Sequence, residues 1–514
     1  MRDERVGVGL VVAAGVAPLL RSLANGFAYD DTHSVLHHPG VRGPFSPAAI
    51  FGRDWWGVPL GRPDGLGSYR PFATLTLWLD AHVGGGAAWP FHLTNLLLYA
   101  GILLMAWVLL RRFAGEAMSA TARLLAIALF ATLAIHVEVV ANATGRAELL
   151  ATLASLGALH LALGELGVMR TILIGLLLVI ALGSKESAYP VTVLAPVLAF
   201  RARGEGARGR GAAAWVAVPS AIVLAFAVAL RATVLQFGRK DAQMVIDNPL
   251  VFAPFRERVF GAMDVFPRYL GHAASGVDLC PDYGYAHHLP ARSLDGGSAL
   301  GFVMVAALVA ALVLTWRRAP RVADALLGFG AAYAVISHLF IGASVLLADR
   351  VFFFPSFWMV VVVVLAGQRL SERRPRLGPL LVGAAALFAA TQAVLSFVTV
   401  PVWRDDRSLA DYAVRACPRV MRSWILRLDV AQRANEAEEG AWAALAASAL
   451  YLQHPRPVAD DLLPETLADQ PYPARVAHLR ARLGDDAFAR ARTQAQALLV
   501  NKRFTAAAGL LAAR

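Results

Sequence analysis

The sequence predicts an all-α polytopic membrane protein: a bundle of about eleven apolar helices, a long first external loop and a small helical domain at the C-terminal end. Three observations carry that expectation. Of 514 residues, 57% are hydrophobic and only 16% charged, a balance that repeated membrane spans sustain and an ordinary soluble protein of this length does not. The apolar residues gather in runs near the length a bilayer requires. The arginines cluster between those runs, on alternate sides.

In chain order the runs are 6–24, 91–110, 122–140, 148–169, 171–184, 188–200, 212–235, 299–316, 322–346, 351–368 and 377–400. The fifth and sixth are short, and the polar reversal Ser184-Lys185-Glu186-Ser187 separates them. The basic start Met1-Arg2-Asp3-Glu4-Arg5 and the run after it resemble a signal peptide. No small-residue cleavage site precedes Tyr29, so the run reads as a retained first helix with its N-terminus inside. With that orientation, Arg111-Arg112, the arginines between Arg201 and Arg210, Arg317-Arg318 with Arg321, and Arg373-Arg374 with Arg376 all face the cytoplasm. The net charge of +12 is thereby explained without a nucleic-acid partner.

The segments 25–90, 136–147, 184–187, 236–298, 347–350 and the tail after 400 fall outside. Residues 1–400 therefore read as a transmembrane domain with external loops at 25–90 and 236–298. Residues 401–514 read as an extracytoplasmic helical domain. Its expected helices, 407–416, 420–435, 438–453, 474–484, 487–500 and 503–513, have the length and texture of degenerate tetratricopeptide repeats. Cys280 and Cys417 both fall outside, where a disulfide and two free thiols are both open. A P-loop, a dinucleotide fingerprint, a nucleophile elbow and a zincin motif are all missing, so nucleotide hydrolysis and soluble hydrolase chemistry have no support.

Candidate chemistry gathers at the external helix ends. Asp30 and Asp31 lie just past the first run, where a carboxylate pair is costly unless solvated, paired or used. One of them suits a general base that takes a proton from an attacking hydroxyl. His136 and Glu138, then Arg146 and Glu148, flank the external ends of the third and fourth runs, and Lys185-Glu186 sits at the reversal. Asp349-Arg350 stands where the ninth run leaves the membrane, and an arginine on the poorly basic face asks for a carboxylate or an anion. The stretch from Phe72 to Val83 has the spacing of an amphipathic interfacial helix.

In order, the strings Tyr29-Asp30-Asp31, Trp55-Trp56-Gly57, Ser68-Tyr69-Arg70-Pro71-Phe72, Phe91-His92-Leu93-Thr94-Asn95, His136-Val137-Glu138, Gly145-Arg146-Ala147-Glu148-Leu149-Leu150, Ser184-Lys185-Glu186, Asp282-Tyr283 and Asp349-Arg350-Val351 through Ser356 resemble a known family. It is that of the transmembrane and tetratricopeptide-repeat O-mannosyltransferases and their bacterial relatives, within the GT-C glycosyltransferases. The resemblance implies transfer of a sugar, mannose or another hexose, from a polyprenyl-phosphate carrier to a protein or glycan hydroxyl outside the cytoplasm. It also implies inversion and no metal, although the Asp pair could bind a divalent cation. Matched to the family pattern, Asp30 takes the base position, Asp31 stands for a Glu and His33 matches a His. Arg350, with Arg146 or Lys185, would meet the lipid phosphate. Glu148, Glu138, His136, Arg70, His92, Glu186 and Asp282 are further site candidates.

Two departures stand out. Asp349-Arg350 replaces the usual Glu-Arg, and the repeat array is short and degenerate. The alanine- and arginine-rich composition points to a bacterial inner membrane, with the site and tail periplasmic and the tail available to a protein partner. A transporter or flippase of lipid-linked substrates and a membrane-anchored scaffold are the competing readings.

Overall fold

A computed structural model describes the chain except residues 1, 63, 64, 66, 205, 235–246, 285–289, 341, 343, 344, 454–460, 468, 513 and 514. Parts of the loop expected over 236–298, and the far ends of the stretches 212–235 and 503–513, lie outside the described residues. Among the described residues every regular element is helical, and the one bridge, Arg53 with Pro59, stands alone.

The protein is multi-pass by its helices. Among the described residues six are long and apolar enough to cross a membrane: Glu4–Ala24, Trp89–Ala117, Ala207–Thr233, Gly296–Arg318, Asp349–Arg373 and Pro375–Trp403. Their ends follow the rules for helix boundaries. Pro90 sits in the first turn of the second, where a missing N–H costs nothing, and Arg111 and Arg112 close its last turn against the negative end of the dipole. Asp295 and Ser298 form a reciprocal capping box before Gly296–Arg318, which Arg317 and Arg318 close.

The eleven runs read from sequence are not equivalent as helices. The run 122–140 is two helices, Ala120–Thr132 and Ala134–Ala141, bent by 54°. The break frees backbone groups that lipid cannot satisfy, and neighbours take them up. Gln392 accepts from the Ala134 N–H at 2.9 Å and donates to the Ala274 carbonyl at 3.0 Å, while Ser396 donates to the Thr132 carbonyl at 3.3 Å. Runs 148–169, 171–184 and 188–200 form helices Arg146–Ala162, Val168–Leu182 and Val191–Arg203 of 17, 15 and 13 residues. Among its described residues, run 322–346 is α-helical over Pro320–Ala334. Beyond it the Ser337 hydroxyl donates to the Ala334 carbonyl, and His338, at φ 60°, bonds the Leu346 carbonyl through Nε2. The expected external loop 236–298 also holds a helix, Phe255–Ser275, hidden in the hydropathy because Arg256, Glu257, Arg258, Asp264 and Arg268 interrupt its apolar face.

After Trp403 come helices Asp406–Ala416, Met421–Ala434, Ala437–Gln453, Tyr472–Leu483, Asp485–Asn501 and Thr505–Ala512, close to the spacing read from sequence. Leu409, Cys417 and Val420 pack into the core of the bundle, whereas Trp424 and the residues beyond build a second core around the alanine-rich helix Ala437–Gln453. Gly440 is needed there, because any β-carbon would strike the Phe504 ring.

Replacing Gln392 with Leu strands the Ala134 N–H and the Ala274 carbonyl. The expected outcome is a loss of about 1–3 kcal/mol, read as a lower Tm of the detergent-solubilised protein, and an unchanged Tm would refute this role.

Candidate functional site

One end of the bundle collects the charged residues. The loop leaving the first span is fixed from several directions: the Gly26 N–H donates to the Arg404 carbonyl at 2.7 Å, and His92 Nε2 lies 2.9 Å from the Gly26 carbonyl. A carbonyl can only accept, so that nitrogen of His92 carries the proton. Tyr29 adopts φ 59°, an uncommon region for a bulky residue. Its N–H donates to Asp406 Oδ1 at 2.7 Å and its hydroxyl to Asp282 Oδ2 at 2.9 Å, which holds it there.

The two adjacent acids part company at this point. Asp31 is buried, and its carboxylate accepts backbone N–H groups of Ala28 at 3.2 Å, Thr144 at 2.9 Å and Ala143 at 3.4 Å. Burial pushes its carboxyl up to about 7, against those three bonds and with the Asp30 charge adding a smaller push. Asp30 is half-buried, and its carboxylate takes no hydrogen bond or ion pair from any described residue. It lies within electrostatic reach of Arg350 and Tyr29. His33 is exposed, with its ring 6.3 Å from that of His37, and bonds neither acid.

Arg350 lies within electrostatic reach of Asp30. Its Nη1 pairs with Glu138 Oε1 at 2.5 Å and reaches the Pro281 carbonyl at 3.4 Å, and its own N–H donates to Glu138 Oε2. Nε and Nη2 donate to no described residue and are not sealed from solvent. Its neighbour Asp349 points the other way, accepting from Tyr283 Oη at 2.7 Å with His272 Nδ1 at 2.9 Å. Glu138, Pro281, Asp349, Trp403 and Tyr412 line a small cleft beside these groups.

A second cationic group adjoins. Lys185 pairs with the buried Glu148 at 2.8 Å, and Glu148 also accepts from Ser187. Arg70 and Arg231 both pair with Glu186, at 3.3 and 2.5 Å, and Arg70 lies over the Trp55 ring. Burial pushes Glu186 up, but the two guanidiniums outweigh it and hold its carboxyl at about 2. Arg70 and Arg350 act on Lys185 electrostatically, so the two groups form one field.

Of the residues singled out in the sequence, the structure brings together Asp30, Glu138, Arg350 and Asp282, with Lys185, Glu148, Glu186 and Arg70 beside them. Others lie elsewhere. Arg146 is fully buried, donating to Asn95 Oδ1 and Asp80 Oδ2, each at 2.6 Å, and to the Phe91 carbonyl. His136 is a core group between Tyr99 and Ser356. Sequence reasoning passed over Arg422, which binds Asp247 through two 2.5 Å contacts and stands 3.4 Å from Asp282. Burial pushes the Asp282 carboxyl up, with Arg422 and Arg350 opposing. Nothing in the composition of the tail marks Arg422 among its many arginines. Cys280 and Cys417 are joined in a disulfide, which fixes the Pro281-Asp282 loop to the tail, and Tyr412 adds a hydroxyl bond to the Leu279 carbonyl. Among the described residues, no three His, Cys, Asp or Glu side chains gather as metal donors.

No protein-family model matches the chain. Curated relatives do, over part of its length. A protein O-mannosyl-transferase of Caenorhabditis elegans is 34% identical over 158 residues, which are 30% of this chain and 22% of that protein. One of Drosophila melanogaster is 40% identical over 134 residues, 26% of this chain and 14% of its own. A human one is 32% identical over 141 residues, 27% and 16% of the two chains. The matched stretch thus spans less than a quarter of each of these relatives. The chain therefore resembles the protein O-mannosyl-transferases, in agreement with the ordered strings of its sequence.

Two outcomes follow from this geometry. Asp80→Ala leaves the Arg146 guanidinium buried and uncompensated, so a loss of about 3–5 kcal/mol is expected, with partial recovery in Asp80→Ala/Arg146→Met. A tolerant Asp80→Ala would release Arg146 for another role. Cys417→Ser opens a closure of 137 residues, and a loss of about 2–4 kcal/mol is expected. Reductant should then lower the Tm of the wild type and leave that of the variant unmoved.

Proposed function

We propose that this chain is an integral-membrane glycosyltransferase. It moves a sugar, mannose or another hexose, from a polyprenyl-phosphate carrier to an acceptor hydroxyl on the extracytoplasmic face. The observation that carries the reading is the half-buried Asp30 carboxylate, unpartnered among the described residues and within electrostatic reach of an arginine with two N–H edges that donate to no described residue.

The step is a single displacement. Asp30 takes the proton of the acceptor hydroxyl as its oxygen bonds the anomeric carbon. The bond from that carbon to the phosphate oxygen breaks, and the carrier phosphate leaves with the electron pair. Backside attack inverts the anomeric centre. Charge grows on the leaving phosphate, where Nε and Nη2 of Arg350 are suited to meet it, and Lys185 adds to the field. Asp31 positions the loop through the backbone N–H groups of Ala28, Ala143 and Thr144. Asp406 and Asp282, the latter beside Arg422, steady Tyr29, the residue before the base. No metal is required by this scheme.

The orientation rests on two features. Helix ends on the side away from Asp30 carry Arg111, Arg112, Arg201, Arg203, Arg317, Arg318 and Arg373, the signature of a cytoplasmic face. The disulfide lies on the Asp30 side, where an oxidising compartment suits it. In a bacterium that compartment is the periplasm and the carrier undecaprenyl phosphate. The shorter helices near Lys185 complete the span count towards eleven, and the tail past Trp424 is a TPR-like surface for a protein partner.

The test is sugar release from a panel of radiolabelled polyprenyl-phosphate sugars by the purified protein, with crude envelope as acceptor. Asp30→Asn should lower turnover by about 10²–10⁴-fold while the Tm holds. Equal turnover by wild type and variant would remove Asp30 from the mechanism.

A further inference from the structure

At the end of the bundle opposite Asp30, three arginines converge on the close of helix Arg146–Ala162. Arg112 Nη1 donates to the His160 carbonyl at 3.0 Å and lies 3.0 Å from His160 Nε2. Arg203 donates to the carbonyls of Ala162 at 3.2 Å, Ala199 at 3.0 Å and Gly164. Arg170 donates to the Glu165 carbonyl. The crowding is tight enough that a β-carbon at Gly164 would collide with Nη1 of both Arg170 and Arg112. Arg170 is felt electrostatically at Arg112, His160 and Arg203.

Among the described residues this cluster has no carboxylate partner; on the same side Arg201 and Arg321 share Asp324, and Arg123 holds Glu4. The helix terminus supplies roughly half a negative charge against three full positive ones. The exposed Glu165 is the acid beside Arg170 in sequence, and its carboxylate makes no ion pair. Like charges held together this closely favour a bound counter-ion.

The surface below the cluster gives the chemistry of that ion. Helix Val168–Leu182, which carries Arg170 in its first turn, presents Met169, Ile172, Leu173, Leu176 and Val179 outward, between 41% and 69% exposed. Their spacing makes one continuous apolar face. A cationic head over an apolar wall matches an amphiphile with a phosphate head and acyl chains.

We infer that Arg112, Arg170 and Arg203 form a binding site for the phosphate of an anionic membrane phospholipid, whose chain lies along helix Val168–Leu182. The site is independent of the glycosyl-transfer reading, because it lies at the far end of helix Arg146–Ala162 from Arg146, and at the far ends of helices Val168–Leu182 and Val191–Arg203 from the reversal that holds Lys185.

The experiment is native mass spectrometry of the full chain after exchange into mixed micelles of phosphatidylglycerol and phosphatidylcholine, with and without inorganic phosphate. Wild type should retain phosphatidylglycerol roughly tenfold over phosphatidylcholine, and millimolar inorganic phosphate should not displace it. Arg112→Gln/Arg170→Gln/Arg203→Gln should lose that preference, while Arg373→Gln/Arg374→Gln/Arg376→Gln, with the same charge removed on the same side, keeps it. Equal losses in the two triple variants would reduce the effect to the general basic field and overturn the site. Displacement by inorganic phosphate would mark a free-anion site and overturn the lipid. If the triple variant does not fold, Arg170→Gln, which gives up only the Glu165 carbonyl, should lower the preference severalfold, and no change would count against the proposal.

Discussion

The cost of holding an ionised group away from water governs the working end of this bundle. Acids there sit where desolvation takes several kcal/mol from any charge left alone, and nearly all are committed. Asp31 is held by backbone N–H groups, Glu138 by Arg350, Glu148 by Lys185, Glu186 by Arg70 and Arg231, and Asp349 by Tyr283 and His272. Asp282 receives Tyr29 and lies beside Arg422. Against that background the Asp30 carboxylate, uncommitted among the described residues, is informative, since a group left without a partner in such a setting is where a site is expected to depart from the rules of stability.

The same interactions draw the tail into the site. The Arg404 carbonyl receives the Gly26 N–H, Asp406 receives the Tyr29 N–H, Tyr412 binds the Leu279 carbonyl, Cys417 is joined to Cys280 and Arg422 bridges Asp247 and Asp282. These contacts close on the two loops that flank Asp30 and Arg350. Tyr29 needs them most, because a left-handed non-glycine residue persists only when its surroundings over-determine it. A tail that served only as a docking scaffold would have no reason to reach so far inward.

Much of this was legible in the sequence, and the losses have physical causes. Hydropathy located the apolar runs and the alternate arginines, and helical periodicity located the tail elements. Hydropathy could not see that Leu133 breaks a span, because the compensating group, Gln392, is 258 residues away. Nor could it find helix Phe255–Ser275, whose charges mask its buried face. At the site, order along the chain pointed to Asp30, Glu138, Asp282 and Arg350. It could not separate Arg350 from Arg146, since both are arginines at helix ends on the same side of the bundle. Only three-dimensional pairing tells them apart: Asp80 and Asn95 absorb one, while the other keeps open donors.

The adjacency of Asp30 and Asp31 now has a geometric explanation. Both enter a helical turn, as the Ser34 N–H bonding the Asp30 carbonyl shows, and successive side chains on such a turn point about 100° apart. One carboxylate aimed at the N–H groups of Ala143 and Thr144 therefore obliges the next to aim elsewhere. Asp31 ties the loop to the segment before helix Arg146–Ala162, and that tie holds Asp30 within electrostatic reach of Arg350. A single acid could supply either the anchorage or the free carboxylate. The pair supplies both, and Asn at position 31 would keep only part of the acceptor set that fixes its neighbour.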